Sequence, residues 1–324
     1  MLASLSSQSV LAHLGQQENL YSLGFAIYPI FGSPNSRLEE RFVLFQKGTF
    51  ILEMASSAEP YAESLLILEG ECEFMELRGS QEPMKVRNLE SLGGHSNIYV
   101  SPKSNSSFML IVKSDVALFF HAAYSGFTSK FKKVRNEYLS TLVNAKNILE
   151  QPSKKSIINE SEKVFRRASS AGVLSWSDLD LLKEHLQKRF LDRARICAHN
   201  SDESLLQEMF MVFDQSNFVT PAFHPDKDES ILVIEGSIEI VEFDELGNQE
   251  SRVQLESWGN IAGKPSFFRV RKGVIHTLLV KSKYALLKET TSGPFRSVGT
   301  TTPGWAHGFT KGDLTELPSV EGKN

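Results

Sequence analysis

The chain has 324 residues, 41% hydrophobic and 23% charged, the balance of a globular protein with more than one core. A net charge of −4 gives no general attraction to nucleic acid. Two cysteines, Cys72 and Cys197, are too few for a disulfide framework and fit a reducing compartment. The first twenty residues lack a basic start followed by an apolar run, and no stretch approaches the ~18 apolar residues of a membrane span. These features predict a cytoplasmic protein with no membrane and no nucleic-acid partner.

In chain order, the first informative feature is ESLLILEGECEF at 63–74, which returns as ESILVIEGSIEI at 229–240. LES at 89–91 returns at 255–257, and LIVKSDVAL at 110–118 returns as LLVKSKYAL at 278–286. Three matches in the same order argue for a duplicated domain. Both repeats are rich in short β-branched and aromatic runs broken by Gly70, Gly236 and Gly247, which predicts strands. Phe243 to Gly247 reads as a hairpin turn. Between the repeats, residues 128–150 place Phe131, Val134, Leu139, Leu142 and Val143 at helical spacing. The basic cluster Lys130, Lys132, Lys133 and Arg135 reads as that helix's solvated face. A second helix is predicted over 176–190, with Ser175 or Ser177 as N-cap and Leu179, Leu182, Leu186 and Phe190 on one face.

The expected fold is mainly β: two β-barrel (jelly-roll, double-stranded β-helix) domains joined by a helical connector. The boundaries are 1–127 for the first barrel, 128–172 for the connector, and 173–324 for a second barrel carrying an N-terminal helix.

The chemistry concentrates in the second repeat. Residues 222–236 read AFHPDKDESILVIEG, and His276 opens a later strand in GVIHTLL. A barrel brings such residues together because alternate residues of a strand point inward. The motif resembles that of the cupin superfamily, H-x-H-x(3,4)-E-x(6)-G followed by a later His. His224, Glu229 and Gly236 fit the first part and His276 the second, whereas Ala222 stands where the first His would be. Over residues 190–310 the chain resembles the WbuC-like cupins of bacterial surface-polysaccharide (O-antigen) gene clusters. The similarity is carried by Arg193-Ala-Arg195-Ile-Cys197-Ala-His199, Glu208-Met209, Pro221, Phe243-Asp244, Gly247, His276-Thr-Leu278 and the string ETTSGPF at 289–295.

The resemblance makes the chain a bicupin with His224, Glu229 and His276 as ligands of a divalent metal, Fe, Mn, Ni or Zn. Two imidazoles and a carboxylate match both a facial triad for non-haem Fe(II) and the open pattern of catalytic zinc. Ala222 in place of the first His leaves occupancy open. Arg193, Arg195 and His199 form a candidate anion clamp for a sugar nucleotide, against a surface ion-pair network. Glu289 is a candidate general base, against a role in a fixed turn beside Gly293-Pro294. Cys197 is expected to be a small buried hydrophobe. Trp305 and His307 either cover the pocket or anchor the tail.

In the first repeat the register places Ser56 and Ala58 at the early His positions and Phe108 at the late one, with Glu63 kept. A carboxylate without an imidazole is not a metal site, so this barrel reads as structural. His13, His95, His121 and His185 have no motif context. No P-loop, GxGxxG, GxSxG or HExxH is present in the sequence.

Three functions compete. The first is metal-assisted isomerisation or epimerisation of a sugar or sugar nucleotide. The second is a non-catalytic sugar-binding or scaffold cupin with a degenerate metal site. The third is an Fe(II)-dependent dioxygenase. Edge pairing in cupins makes a homodimer the expected assembly.

Overall fold

The computed structural model describes residues 4–31, 33, 35–53, 62–78, 82–91, 96–101, 107–124, 130–134, 157–167, 173–296 and 299–316. Three sheets account for its strands. The second repeat folds as a sandwich of two of them. Strands Pro265–Val270, Glu229–Glu235, Tyr284–Ser292, Leu206–Asp214 and Arg193–Cys197 run side by side in one sheet. Gln249–Glu256, Ser237–Phe243 and Ile275–Val280 form the facing sheet. Ile231, Val233, Phe268, Val270, Ala285 and Leu287 of the first meet Ile238, Ile240, Leu255, Leu278 and Val280 of the second in one buried cluster. The period-2 alternation predicted from sequence is what sends these residues to the same side. The hairpin at Phe243–Gly247 forms as expected: Gly247 has φ 89°, and the Asp244 carboxylate accepts from the backbone of Leu246 and Asn248. The fold is mainly β, with the second repeat built as a jelly-roll sandwich.

The first repeat builds the remaining sheet in matching register. Leu65 lies opposite His121 as Ile231 lies opposite Glu289, and Glu76 opposite Phe108 as Glu242 opposite His276. Even the irregularities coincide, with a register shift at Ile67/Glu69 and again at Val233/Glu235. Gly70 and Gly236 follow with φ 85° and 82°, and a Cβ there would lie 2.2 Å from the Val116 carbonyl or 2.3 Å from that of Tyr284. Only glycine tolerates both demands.

The repeats exchange edges. Ser4–Ser6 pairs with Pro265–Val270 of the second repeat, and Val173–Ser175 pairs with Asn97–Val100 of the first. The sheets therefore interleave across the expected domain boundaries. The largest hydrophobic cluster spans both repeats: Phe42 stacks on Trp258 at 5.1 Å, and Phe267 packs edge-on to Phe42 and against Phe120. Each such ring contributes about 1.5–3 kcal/mol when buried.

The same interface holds buried charges whose pairing no sequence pattern foreshadows. Lys288 Nζ lies 2.6 Å from Glu208 Oε1, both essentially buried, and Glu208 also accepts from the Ser64 and Tyr99 hydroxyls. Arg269 bridges Glu40 at 3.2 Å and Asp228 at 3.3 Å. Burial raises the Glu40 pKa against the pull of Arg269. For Glu208, burial also acts upward, but Lys288 and the hydroxyl donors prevail and hold it below the ordinary carboxylate value.

Two expectations need correction. Within the expected helical connector, Lys130–Lys133, Ile157–Asn159 and Val164–Arg167 are strands. Lys130–Lys133 pairs with the strand Leu38–Glu53, and Val164–Arg167 lies parallel to Arg193–Cys197. Open sheet edges outweighed helical spacing there. Arg135, Leu139, Leu142 and Val143 lie outside the described residues. The second helix does form, at Trp176–Arg189, with a Ser175/Asp178 capping box and Leu179, Leu182 and Leu186 buried. Phe190 does not share that face. It terminates the helix at φ 53° and is 95% exposed. Among the described residues no helix is long and apolar enough to cross a membrane.

Candidate metal centre in the second barrel

His224 lies just past a short bridge in which Ala222 and His276 exchange both backbone hydrogen bonds, at 3.0 and 2.9 Å. Its carbonyl accepts from Gly273 N–H at 2.7 Å, so the loop is pinned to the turn that precedes the His276 strand. Glu229 opens the next strand and His276 sits in the facing sheet. The fold thus gathers three groups separated by up to 52 positions (His224 to His276).

Their orientations are set from behind. His224 Nδ1 is 2.8 Å from the Gly299 carbonyl, and His276 Nδ1 is 3.0 Å from that of Val274. A carbonyl only accepts, so both rings carry Nδ1–H and turn Nε2 inward. The two Nε2 atoms stand 2.9 and 3.8 Å from the same oxygen, Glu229 Oε2. Imidazoles that bind metals are held in this way, with the second nitrogen donated to a carbonyl. The donor chemistry therefore fits a divalent cation. The spacing is that of direct contact: among the described residues no three His, Cys, Asp or Glu side chains are spread around a common centre. His224 and Glu229 hydrogen-bond to each other, and that bond must open to admit a cation. The side chains of His224 and His276 are 15% and 13% exposed, so solutes can reach them.

Electrostatics couples a fourth group. Glu289 lies opposite Ile231 on one side and Met209 on the other, on the inward face shared with Leu287. Burial first, then the Glu229 charge, pushes its carboxyl up to about 8, against His224, Lys227 and Arg195. Glu229 shows the reverse outcome: burial acts upward, but the His224 hydrogen bond and the fields of His276, His224 and Lys227 hold it low. For His224, burial acts downward, yet Glu229 and the Gly299 carbonyl raise its pKa above the ordinary value. The site at neutral pH holds one carboxylate and one carboxylic acid. Two carboxyl groups with separated affinities are the arrangement of an acid–base pair. No second carboxylate is evident beside Glu289 in the sequence; the structure supplies Glu229.

The other candidates separate. Arg193 and Arg195 are exposed, alternating with buried Ala194 and Ile196. The charge of Arg195 reaches Glu289, whereas that of Arg193 bears on Asp192. His199 is buried and its Nδ1 is bound to the backbone of Glu208, so it does not converge with the two guanidiniums on one ligand. Cys197 is a buried free thiol whose pKa is raised chiefly by burial. Trp305 packs on Phe243 and Phe309 on the outer side of the facing sheet, anchoring the tail rather than covering the pocket.

In the first barrel, Ser56 and Ala58 lie outside the described residues. Phe108 is buried and stacked on Phe74 at 4.9 Å. Glu63, expected to lack an imidazole, has one: His121 Nε2 is 2.7 Å from its Oε2, and Arg41 Nε donates to His121 Nδ1 at 3.0 Å. His121 occupies the register position of Glu289. The 168-residue offset between the late repeats points there directly, whereas the cupin motif marks only the positions of its own histidines. Nδ1 accepts from arginine, so Nε2–H faces the carboxylate and the three groups neutralise one another. Burial lowers the His121 pKa against the pull of Glu63.

A family described as a domain of unknown function, DUF6016, matches residues 175–255. No curated protein matches the sequence. Among solved structures, a mutant of salicylate 1,2-dioxygenase from Pseudoaminobacter salicylatoxidans is 12% identical. It aligns over 90% of this chain and 85% of its own, with a TM-score of 0.55. Bacillus subtilis oxalate decarboxylase OxdC, as a deletion mutant, is 10% identical over 92% and 84% of the two chains, with a TM-score of 0.49. Likeness at these identities speaks to the fold alone.

Proposed function

We propose that the second barrel binds a divalent cation through His224, Glu229 and His276 and uses it, with Glu289, on a small hydroxylated or carbonyl substrate. The observation that carries this reading is the anchoring of both imidazoles at Nδ1 with both Nε2 atoms turned to one carboxylate oxygen. A bound cation would supply Lewis acidity toward a substrate oxygen. Glu289 holds a proton at neutral pH and stands ready to deliver it to that oxygen, or to accept one once a neighbouring positive charge lowers its affinity. Proton removal and return is the chemistry of an isomerase or epimerase.

The WbuC-like resemblance carried by ETTSGPF supports a sugar or sugar nucleotide of surface-polysaccharide biosynthesis as the substrate, with Arg195 nearest to its anionic part. The same reading takes the protein to be a cytoplasmic homodimer. A second reading is favoured by the direct His224–Glu229 hydrogen bond: a metal-free barrel that binds sugar without turnover. Titration of Mn(II), Fe(II), Ni(II) and Zn(II) into the chelator-treated protein separates the two, with calorimetry and thermal unfolding as readouts. Saturable binding lost in His276→Ala supports the cation site. Absence of binding by all four metals leaves the sugar-binding reading.

A further inference from the structure

Glu229 supplies the oxygen that both imidazoles face, and its two chain neighbours are held by the first repeat. Glu229 turns toward His224 and His276, whereas Asp228 and Ser230 turn the other way, as strand alternation requires. Both neighbours are 1% exposed. The Asp228 carboxylate accepts from Ser33 N–H at 2.8 Å and from Ser33 Oγ at 2.5 Å. The Ser230 hydroxyl donates to the Glu40 carboxylate. Arg269, opposite Ser230 on the adjoining strand, closes the arrangement by pairing with Asp228 at 3.3 Å and with Glu40 at 3.2 Å.

Asp228 also reaches the remaining ligand. Its Oδ1 accepts Lys272 N–H at 3.0 Å, in the turn that leads into the His276 strand. The next residue of that turn, Gly273, donates its N–H to the His224 carbonyl at 2.7 Å. One buried carboxylate therefore ties together the segment carrying His224 and Glu229, the turn before His276, and the first repeat. Hydrogen bonds to an ionised acceptor are short and strong, so these ties fix positions and not merely proximity.

We infer that Asp228 is a positioning residue for the His224–Glu229–His276 centre, and that the first repeat sets the placement of Glu229 through Ser33 and Glu40. The consequence for a divalent cation rests on the cation reading of that centre; the placement of the loops does not. Groups that orient metal ligands from behind typically govern affinity by about 10–100-fold. The first barrel, whose own Glu63 is enclosed by His121 and Arg41, thus acts on the chemistry of the second.

The test uses the full chain and two readouts. Hydrogen exchange at Gly273 N–H, measured without metal, reports the loops; calorimetric titration of Mn(II) and Zn(II) into the chelator-treated protein reports the centre. In Asp228→Asn an amide replaces one acceptor oxygen and opposes its donors. Exchange at Gly273 should quicken by about tenfold or more, with exchange inside Ser237–Phe243 as in the parent. Cation affinity should fall by about tenfold or more. Ser33→Ala keeps its backbone N–H and should move both readouts the same way by about threefold or more, guarding against misfolding of the first variant. Tyr99→Phe, which removes a hydroxyl bonded to Glu208 elsewhere on the same interface, should leave both unchanged. Parent-like exchange and affinity in folded Asp228→Asn and Ser33→Ala overturn the inference and leave the cation reading standing. Equal changes in Tyr99→Phe overturn it too, because general loosening of the interface would then suffice. Quickened exchange in the two variants of a parent that binds neither cation upholds the positioning role and overturns the cation reading alone.

Discussion

Replacing Lys288 by methionine keeps an unbranched side chain, one atom shorter, and removes one charge from the boundary between the repeats. Lys288 is 1% exposed and Glu208 2%, and Nζ is held between Glu208 Oε1 at 2.6 Å and Thr290 Oγ1 at 2.7 Å above the ring of Phe120. Without it, the Glu208 carboxylate keeps the Ser64 and Tyr99 hydroxyls, too little to compensate a buried anion. Removing one partner of such a pair costs about 3–5 kcal/mol, whereas replacing both by neutral groups is far cheaper. Urea unfolding at pH 8, followed by tryptophan fluorescence, should show that loss for Lys288→Met. The double variant Lys288→Met with Glu208→Gln should recover most of it, to within about 2 kcal/mol of the parent. The pH dependence should also reverse. In the parent, Glu208 has a folded pKa below its unfolded value, so its contribution is present above that value and lost as pH falls through the folded one. In Lys288→Met the buried carboxylate prefers its proton, so the deficit shrinks on acidification. A loss below about 1 kcal/mol, or a double variant as unstable as the summed singles, would show that Lys288 and Glu208 do not compensate each other.

Further outcomes concern other positions. The pKa of His199 is lowered by burial from 6.5 to about 4, so the folded state resists protonation and stability falls by up to about 3 kcal/mol as pH drops across that window. His199→Gln should flatten that slope in denaturation measured from pH 7 to 4; a slope unchanged from the parent's counts against it. Gly236→Ala should cost at least about 2 kcal/mol, because strain at φ 82° is joined by a clash with the Tyr284 carbonyl. Gly273→Ala, at φ 80° with no neighbour within 4 Å, should cost only about 1–2 kcal/mol, and equal costs by chemical denaturation would exclude the clash. Ala222→His should strengthen cation binding by about tenfold or more, because Ala222 is the cross-strand partner of His276 and adds a third imidazole. Calorimetry showing equal or weaker affinity would argue against that placement.

The residues of the candidate site are legible because motif spacing and strand alternation are local properties. The structure brings His224, Glu229 and His276 together, and the Ser175 cap, the Gly247 turn and the repeated strands follow from local sequence pattern. What is not legible depends on pairing between distant segments. The environment of Glu289 is set by its position across from Ile231, in register with Glu229, which no linear motif expresses. His121 escapes notice because the motif marks the histidines that the first repeat lacks, not the side chain that fills the space behind Glu63. Glu208 stands out only as part of a resemblance, and its partner Lys288 sits in an ordinary strand pattern. The segment 130–133 reads as helix because helical spacing cannot show that a sheet edge awaits it.

Cation binding by the second barrel is decided by the metal content of the full-length protein after reconstitution and desalting, measured by elemental analysis in parallel with His276→Ala and His121→Ala. A single equivalent of a divalent cation is expected in the parent, with loss of that equivalent in His276→Ala. Folded His121→Ala, which lacks an imidazole enclosed by Arg41 and Glu63, should retain it. No retained metal in the parent, or equal retention in parent and His276→Ala, would rule out a cation held by His224, Glu229 and His276.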